Sequence, residues 1–443
     1  MIKVITYGTF DHLHYGHERL LKRAKELGDY LIVGVTSDDF DRRRGKINVS
    51  QSLMERIEAV RELGIADKII VEEYEGQKID DIKRYEIDVF TVGSDWKGKF
   101  DYLNNYCTVK YLDRTEGVSS TDIRTNEKNL IMGIVGDDPY LEKFYRESKY
   151  VNGLSIKAIC TSDIDKDNDA YDDLEFFSNY DDMLNSVETV YIHSYPSQHF
   201  TLIKKALKLR KHVLCEAPIT INRQEYKELC ELAESMGCVL MDSIRTAFST
   251  AYDRLLLLIK SGLIGDVKSI DATCTSLKDQ TDITNTSWNS ICAWGPNAML
   301  PIFQILGTKY TSKHIITKLS ETNENYDLFT KIDFIYPSAV ASIKVGQGVK
   351  AEGEMIISGT KGYIFVPAPW WKTDYFEVRF ENQDDNKRYF YQLEGEGIRY
   401  ELVAFRNNVI NRRKYEYIDS SVSNEFISVI QDFYERKNIH FIE

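Results

Sequence analysis
The chain has 443 residues, 43% apolar and 28% charged, an ordinary globular composition that predicts about three domains at roughly 150 residues each. Lysine and arginine number 56 against 69 aspartates and glutamates, a formal charge of −13, which excludes a broad cationic footprint for nucleic acid. The longest strongly apolar run, Leu255–Ile259, is far short of the ~20 residues of a membrane span, and seven scattered cysteines without a Cys-x-x-Cys pair argue against a zinc site or disulfide framework.

In chain order, Ile2–Thr6 reads as an apolar strand with no basic region and long apolar stretch before it, so no signal peptide and a cytoplasmic location are expected. Glu18–Leu27 carries Leu20, Leu21, Ala24 and Leu27 at helical spacing, and Tyr30–Val35 returns to strand. Ser52–Leu63 reads as a second helix, followed by short strands at Lys68–Val71, Val89–Val92 and Val109–Leu112. No proline occurs before Pro139. Strands alternating with helices predict a parallel sheet, with ligands beyond the carboxyl ends of its strands.

The polar stretch Asp122–Asn129 reads as a hinge helix or linker. A second strand–helix series follows, with strands at Leu130–Val135, Ser155–Cys160, Thr189–His193, His212–Leu214 and Val239–Asp242. From about residue 265 the strands Val267–Thr273, Leu328–Tyr336, Ala339–Val345 and Glu354–Ser358 predict an antiparallel α+β domain. The fold class expected is α/β: a Rossmann-like domain over 1–125, a second over 130–250, and an α+β domain over 251–443.

Chemistry concentrates after the first strand, in Tyr7-Gly8-Thr9-Phe10-Asp11-His12-Leu13-His14-Tyr15-Gly16-His17. Gly8 and Gly16 permit close approach of a ligand, and the helix beginning beyond them suits phosphate. His14 and His17 share one face of a first helical turn. A polar loop with capping histidines is the bland alternative, and a metal pair lacks a third ligand nearby.

These residues resemble the His-x-Gly-His signature of the nucleotidylyltransferases, and Arg114-Thr115-Glu116-Gly117-Val118-Ser119-Ser120-Thr121 resembles the second signature of their cytidylyltransferase branch. The likeness over residues 1–125 is to the glycerol-3-phosphate cytidylyltransferase family, which Gly93-Ser94-Asp95-Trp96 and Gly76-Gln77-Lys78 also match in order and spacing. It implies transfer of CMP from CTP to a polyol phosphate, with glycerol phosphate the leading acceptor, for a cell-wall or capsular polymer. By that resemblance His14, His17 and Arg114 are catalytic. Thr9, Phe10, Asp11, His14, Tyr15, Gly16, His17, Asp95 and Arg114 through Thr121 bind CTP, and Arg44, Lys46, Arg56 and Lys78 bind the acceptor. Magnesium is expected with the triphosphate, its protein ligands unassigned, and a homo-oligomer is expected. Tyr15 stands where tryptophan is common, and Gly64 where the family has a phosphate-binding arginine, with Arg61 a substitute.

Residues 130–443 resemble the Gfo/Idh/MocA oxidoreductase family through Tyr191–His199, Lys211–Pro218, Ser261–Val267 and Gly359–Ile364. The family's Glu-Lys-Pro is here Glu216-Ala217-Pro218, and Ala293 and Asn297 fall where an aspartate and a histidine or tyrosine are usual. After Gly136 come Asp137 and Asp138, two carboxylates where a Gly-x-Gly-x-x-Gly turn would continue. Productive NAD(P) use is therefore not expected. His193, His199, Trp288, Trp294, Trp370 and Trp371 lie near cleft-lining segments of the resembling fold. The alternatives are a bifunctional keto-phosphate reductase and cytidylyltransferase, or a second module that is only a structural or docking unit.

Overall fold
The computed structural model describes residues 1–443 except 44–48, 50, 52, 75, 114–128, 163–170, 172, 278–287, 392 and 412–416, and except the side chains of 39, 42, 43, 95, 394 and 411. Arg44, Lys46, Arg114–Thr121 and all of the 122–129 linker but Asn129 lie outside the described residues. The chain divides into two compact units, Met1–Asn129 and Leu130–Glu443.

In the first unit, β1 (Lys3–Gly8), β2 (Tyr30–Thr36), β3 (Lys68–Glu72), β4 (Val89–Gly93) and β5 (Thr108–Leu112) form one parallel sheet in the order β3-β2-β1-β4-β5. Both faces are covered, so β2 reads as an unbroken apolar run rather than an alternating one. On one face Val4 and Val33 pack with Leu21 and Ala24 of α1 (Tyr15–Lys25) and Ile57 and Val60 of α3 (Leu53–Glu62). On the other, Ile5, Ile32 and Phe90 pack with Ile82 of α4 (Gln77–Tyr85) and Leu103. The short helix α2 (Asp38–Arg43) follows β2. Gly34 is required by packing, because a Cβ there would lie 2.3 Å from the Tyr7 ring on the neighbouring strand. After β3 the chain crosses to the far side of β1, which makes the β1/β4 boundary a topological switch point.

The second unit opens with β6 (Leu130–Val135), β7 (Leu154–Cys160), β8 (Glu175–Phe177), β9 (Thr189–Ile192), β10 (His212–Glu216) and β11 (Leu240–Ser243). They form a parallel sheet in the order β11-β10-β9-β6-β7-β8, with its switch point between β6 and β9. A nine-stranded sheet follows, built from β12 (Val267–Thr275), β13 (Ser312–Leu319), β14 (Asp327–Ile335), β15 (Val340–Gly346), β16 (Met355–Gly359), β17 (Tyr363–Val366), β18 (Tyr375–Arg379), β19 (Lys387–Phe390) and β20 (Ile439–Phe441). Its order is β19-β18-β17-β16-β12-β15-β14-β13-β20. The helix Ser290–Leu306 packs against β12, β14 and β15.

The two parallel sheets and the later antiparallel-rich sheet match the expected fold class. Two pairings depart from a purely antiparallel reading, since β12 joins β15 and β13 joins β20 in parallel. Helix α1 begins at Tyr15 rather than Glu18, because the His14 side chain caps it by accepting from the Gly16 amide.

Candidate active site
The β1–α1 loop sits beyond the carboxyl end of β1, at the first unit's switch point. Phe10 and His12 hold φ of 54° and 45°, left-handed conformations that cost free energy in non-glycine residues and persist only where surroundings fix them. The surroundings do so here. The Phe10 ring is buried and meets the His17 ring edge-on at 5.5 Å. The His12 amide donates to Gln51 Oε1 at 2.7 Å, and the Gln51 amide donates to Asp11 Oδ1 at 3.0 Å.

This frame aligns the two histidines. The rings of His14 and His17 stack with centroids 4.0 Å apart. His14 Nδ1 accepts from the Gly16 amide at 3.0 Å, so its ring proton resides on Nε2, which remains a donor. Tyr15 is exposed and Thr9 is buried, donating through Oγ1 to Asp41 Oδ1 at 3.0 Å.

Behind the loop lies Arg56, wholly buried. Its Nη1 donates to the carbonyls of Thr9 at 2.6 Å and Thr36 at 2.8 Å, and its Nε donates to that of Gln51 at 3.1 Å. It also pairs with Asp38 and lies 3.9 Å from Asp41. One guanidinium thus ties the ends of β1 and β2 to the segment before α3. Lys78, nearly buried, pairs with Glu72 and lies 4.7 Å from the Tyr7 ring centroid. Thr36 Oγ1 donates to the other oxygen of Glu72 at 2.9 Å. Burial and the neighbouring Asp81 push the Tyr7 hydroxyl far above its ordinary range, so it stays a donor, reaching Asp81 Oδ2 at 2.8 Å. Asp38, Asp41, Gln51 and Glu72 were not singled out from sequence. Their only signal is the i, i+3 spacing of Asp38 and Asp41 after a strand.

The donor set bears on magnesium. No group of three or more histidine, cysteine, aspartate or glutamate side chains suited to a metal occurs among the described residues. Magnesium that accompanies a triphosphate commonly keeps several waters and takes few protein ligands.

The second unit's crevice is different. Beyond the carboxyl ends of β6, β9, β10 and β11 lies a chain of ionisable groups. His193 Nε2 is 3.6 Å from Asp138, and its Nδ1 is 3.5 Å from Glu216. Glu216 Oε2 accepts from Tyr191 at 2.8 Å and from Ser243 at 3.2 Å, and the same Ser243 hydroxyl lies 3.1 Å from Glu401. Burial alone would lower the pKa of His193, but hydrogen bonds to Asp138 and Glu216 outweigh it and raise it to about 9. Burial and the charge of Glu216 push Glu401 up to about 8, whereas the imidazolium of His193 holds buried Glu216 below the usual range. His199 is a structural pin, its two ring nitrogens 2.9 and 2.8 Å from the carbonyls of Pro218 and Ser194. Trp288 stacks on His193 at 5.9 Å, Trp294 meets Trp371 at 4.9 Å, and buried Trp370 donates to Thr273 O. Asn297 accepts from Thr246 at 3.2 Å.

Asp137 bridges the loop after β6 to that after β7, accepting from Thr161 Oγ1, Ser162 N and Ser162 Oγ, each at 2.7 Å. Asp138 is paired with His193, so the loop after β6 carries two carboxylates at the sheet's switch point. The turn itself is tight, since a Cβ on Gly136 (φ 142°) would meet the His193 carbonyl at 2.0 Å.

Comparison with known proteins bears on both units. A family model described as cytidylyltransferase-like matches residues 5–126, and one described as an oxidoreductase family with an NAD-binding Rossmann fold matches 130–243. A glycerol-3-phosphate cytidylyltransferase from Bacillus spizizenii is 48% identical over 130 residues, covering 29% of this chain and 100% of that protein. One from Staphylococcus aureus is 47% identical over 127 residues, 28% of this chain and 93% of its own. Among solved structures, a 3-ketoreductase from Actinomadura kijaniata in complex with NADP and TDP-benzene superposes with a TM-score of 0.63 at 16% identity. That match covers 71% of this chain and 100% of the reductase, and it shows likeness of fold alone.

Proposed function
We propose, from the premise that this chain belongs to the cytidylyltransferase-like family through residues 5–126, that it transfers CMP from CTP to a polyol phosphate, glycerol phosphate first among them. The chain is a nucleotidyltransferase with a CTP-using unit at its N-terminus and an oxidoreductase-like module after it. The acceptor, the product's use in a cell-wall or capsular polymer, and the residue roles are our assignment.

The observation that carries the reading is the stacked His14–His17 pair on a capped helix start at the switch point. An acceptor phosphate oxygen attacks the α-phosphorus, a P–O bond forms, the α–β anhydride bond breaks, and pyrophosphate leaves with its electron pair. Such transfers depend on positioning and on stabilising migrating charge. His14 Nε2 and His17 are assigned as donors to the phosphate chain, joined by Arg114 and the hydroxyls of Ser119, Ser120 and Thr121. The amides of Thr9 and Phe10 and the segment Asp11, Tyr15, Gly16 are assigned to the nucleotide, as are Asp95 and Thr115–Val118. Magnesium, when bound, offsets the charge of the triphosphate.

Lys78, Arg44 and Lys46 are assigned to the acceptor phosphate, with Glu72 orienting Lys78. Arg56 is assigned a positioning role in place of the acceptor contact expected from sequence, because its donors are committed to carbonyls and carboxylates. The self-paired carboxylates of the second crevice support a module that does not transfer hydride. A homo-oligomer is proposed as the working assembly.

The test is pyrophosphate release from CTP with a panel of polyol phosphates, with and without NAD(P)H and keto-phosphates. Release with CTP and glycerol phosphate is expected. Absence of release with every polyol phosphate would refute the acceptor class, and enzyme-dependent NAD(P)H oxidation would promote the bifunctional reading.

A further inference from the structure
In the first unit the Lys78 ammonium lies in a slot built by β1, β3 and the segment after β4. Lys78 is 8% exposed, and buried Glu72 at the end of β3 is its one hydrogen-bond partner among the described residues. Two aromatic faces complete the slot. The ammonium lies 4.7 Å from the Tyr7 ring centroid and 5.5 Å from that of half-buried Phe100. A ring face attracts a cation without consuming its hydrogens, and an ammonium has three donors. Glu72 takes one of them, so the slot fixes Lys78 and leaves donors for an anion that reaches its exposed edge.

The Tyr7 ring is itself fastened. Its hydroxyl donates to Asp81 Oδ2 at 2.8 Å, and Gln77 Nε2 donates to the same oxygen at 3.0 Å and to the Val71 carbonyl at 2.7 Å. Gln77 Oε1 accepts from the Glu73 amide at 2.7 Å. Tyr7, Gln77 and Asp81 are all buried, so this network ties β1 to the end of β3 and to the start of α4. Tyr7 also directly precedes the loop that carries His14 and His17. One side chain thus joins the histidine loop to the helix that bears Lys78. We propose that Tyr7 is a positioning residue for the acceptor: its ring holds the Lys78 ammonium in place, so that the acceptor phosphate meets a cation already fixed. The inference rests on the assignment of Lys78 to the acceptor phosphate in the proposed transfer.

The kinetic signature follows from what is fixed in advance. A lysine loose on its four-carbon stem loses rotamer freedom when it grips a phosphate, whereas one already held has little left to lose. That gain is present in the bound complex and persists through the reaction, so it lowers the acceptor KM more than it raises kcat. Lys78 is assigned no contact with CTP, so the CTP KM stays apart from it. A ring that served packing alone would register in the melting temperature and leave the acceptor KM where it is.

The experiment is steady-state pyrophosphate release by the full chain, with CTP and glycerol phosphate (or the polyol phosphate that the panel selects) varied in turn. Tyr7→Leu removes the ring face. Its acceptor KM should rise about tenfold, the scale of one desolvated cation–ring contact, while the CTP KM and kcat move less than about threefold. Tyr7→Phe restores the face without the hydroxyl and should recover most of that loss. Phe100→Leu removes the second face and covers the case in which Tyr7→Leu does not fold; its acceptor KM should rise about threefold or more. An acceptor KM unchanged in folded Tyr7→Leu, or failing that in Phe100→Leu, overturns the inference. So does a Tyr7→Phe no better than Tyr7→Leu, or a CTP KM that rises in step with the acceptor KM. A parent that turns over no polyol phosphate defeats the proposed transfer and this inference with it, so the parent's own turnover tells the two failures apart.

Discussion
At the scale of single residues, the first unit separates groups that act on substrate from groups that hold them. His14→Ala or His17→Ala removes a donor aimed at migrating charge, and kcat should fall by about two orders of magnitude or more with the fold intact. Near-normal turnover in either folded variant removes that histidine from the mechanism. Arg56→Met should act differently. It removes the buried cation that pairs with Asp38 and lies 3.9 Å from Asp41, and with it three hydrogen bonds to the carbonyls of Thr9, Thr36 and Gln51, a loss of about 3–5 kcal/mol in stability for a broken buried pair. Denaturant melts read that directly, and a melt unchanged from the parent contradicts the keystone role. The sequence made His14 and His17 legible because their spacing is itself a pattern. It could not reveal what Arg56 does, because three of its partners are backbone carbonyls, which leave no mark in a sequence.

At the scale of elements, strands buried on both faces were legible as apolar runs, and β1, β2 and β6 fall within two residues of their expected bounds. The shortest strands were not legible: β8, β17 and β19 are three or four residues long, with too few buried positions to set a period. Nor was the crevice, where Glu401 lies 158 residues from the Ser243 it joins. That crevice sets a pH dependence. His193 is raised above its ordinary 6.5 to about 9, so its contribution is complete below about 6.5 and lost as pH rises through 9. Glu401 keeps to about pH 8 a proton that the unfolded chain releases near 4.5, so its change has the same sign. Glu216, held low, contributes fully above its unfolded value and does not oppose them in this window. The melting transition of the second unit should therefore fall by about 5 °C between pH 6.5 and 9. Glu401→Gln should flatten that slope. A transition that rises over this range contradicts the assignment of both groups.

For the whole molecule, two units with separate cores carry two different relations between likeness and chemistry. The first has close relatives and keeps both histidines of its signature. The second has the fold of a reductase with carboxylates in its phosphate loop and alanine in place of a lysine, so fold alone does not assign it a reaction. No helix among the described residues is long and apolar enough to cross a membrane. The central claim is that nucleotidyl transfer belongs to the first unit by itself. The most direct measurement is pyrophosphate release from CTP and glycerol phosphate by a folded fragment of residues 1–129, set beside the full chain. The account predicts kcat/KM within about tenfold of the full chain, abolished by His17→Ala in both. A folded fragment that binds CTP yet releases no pyrophosphate would contradict it, and would place part of the active site in the second unit.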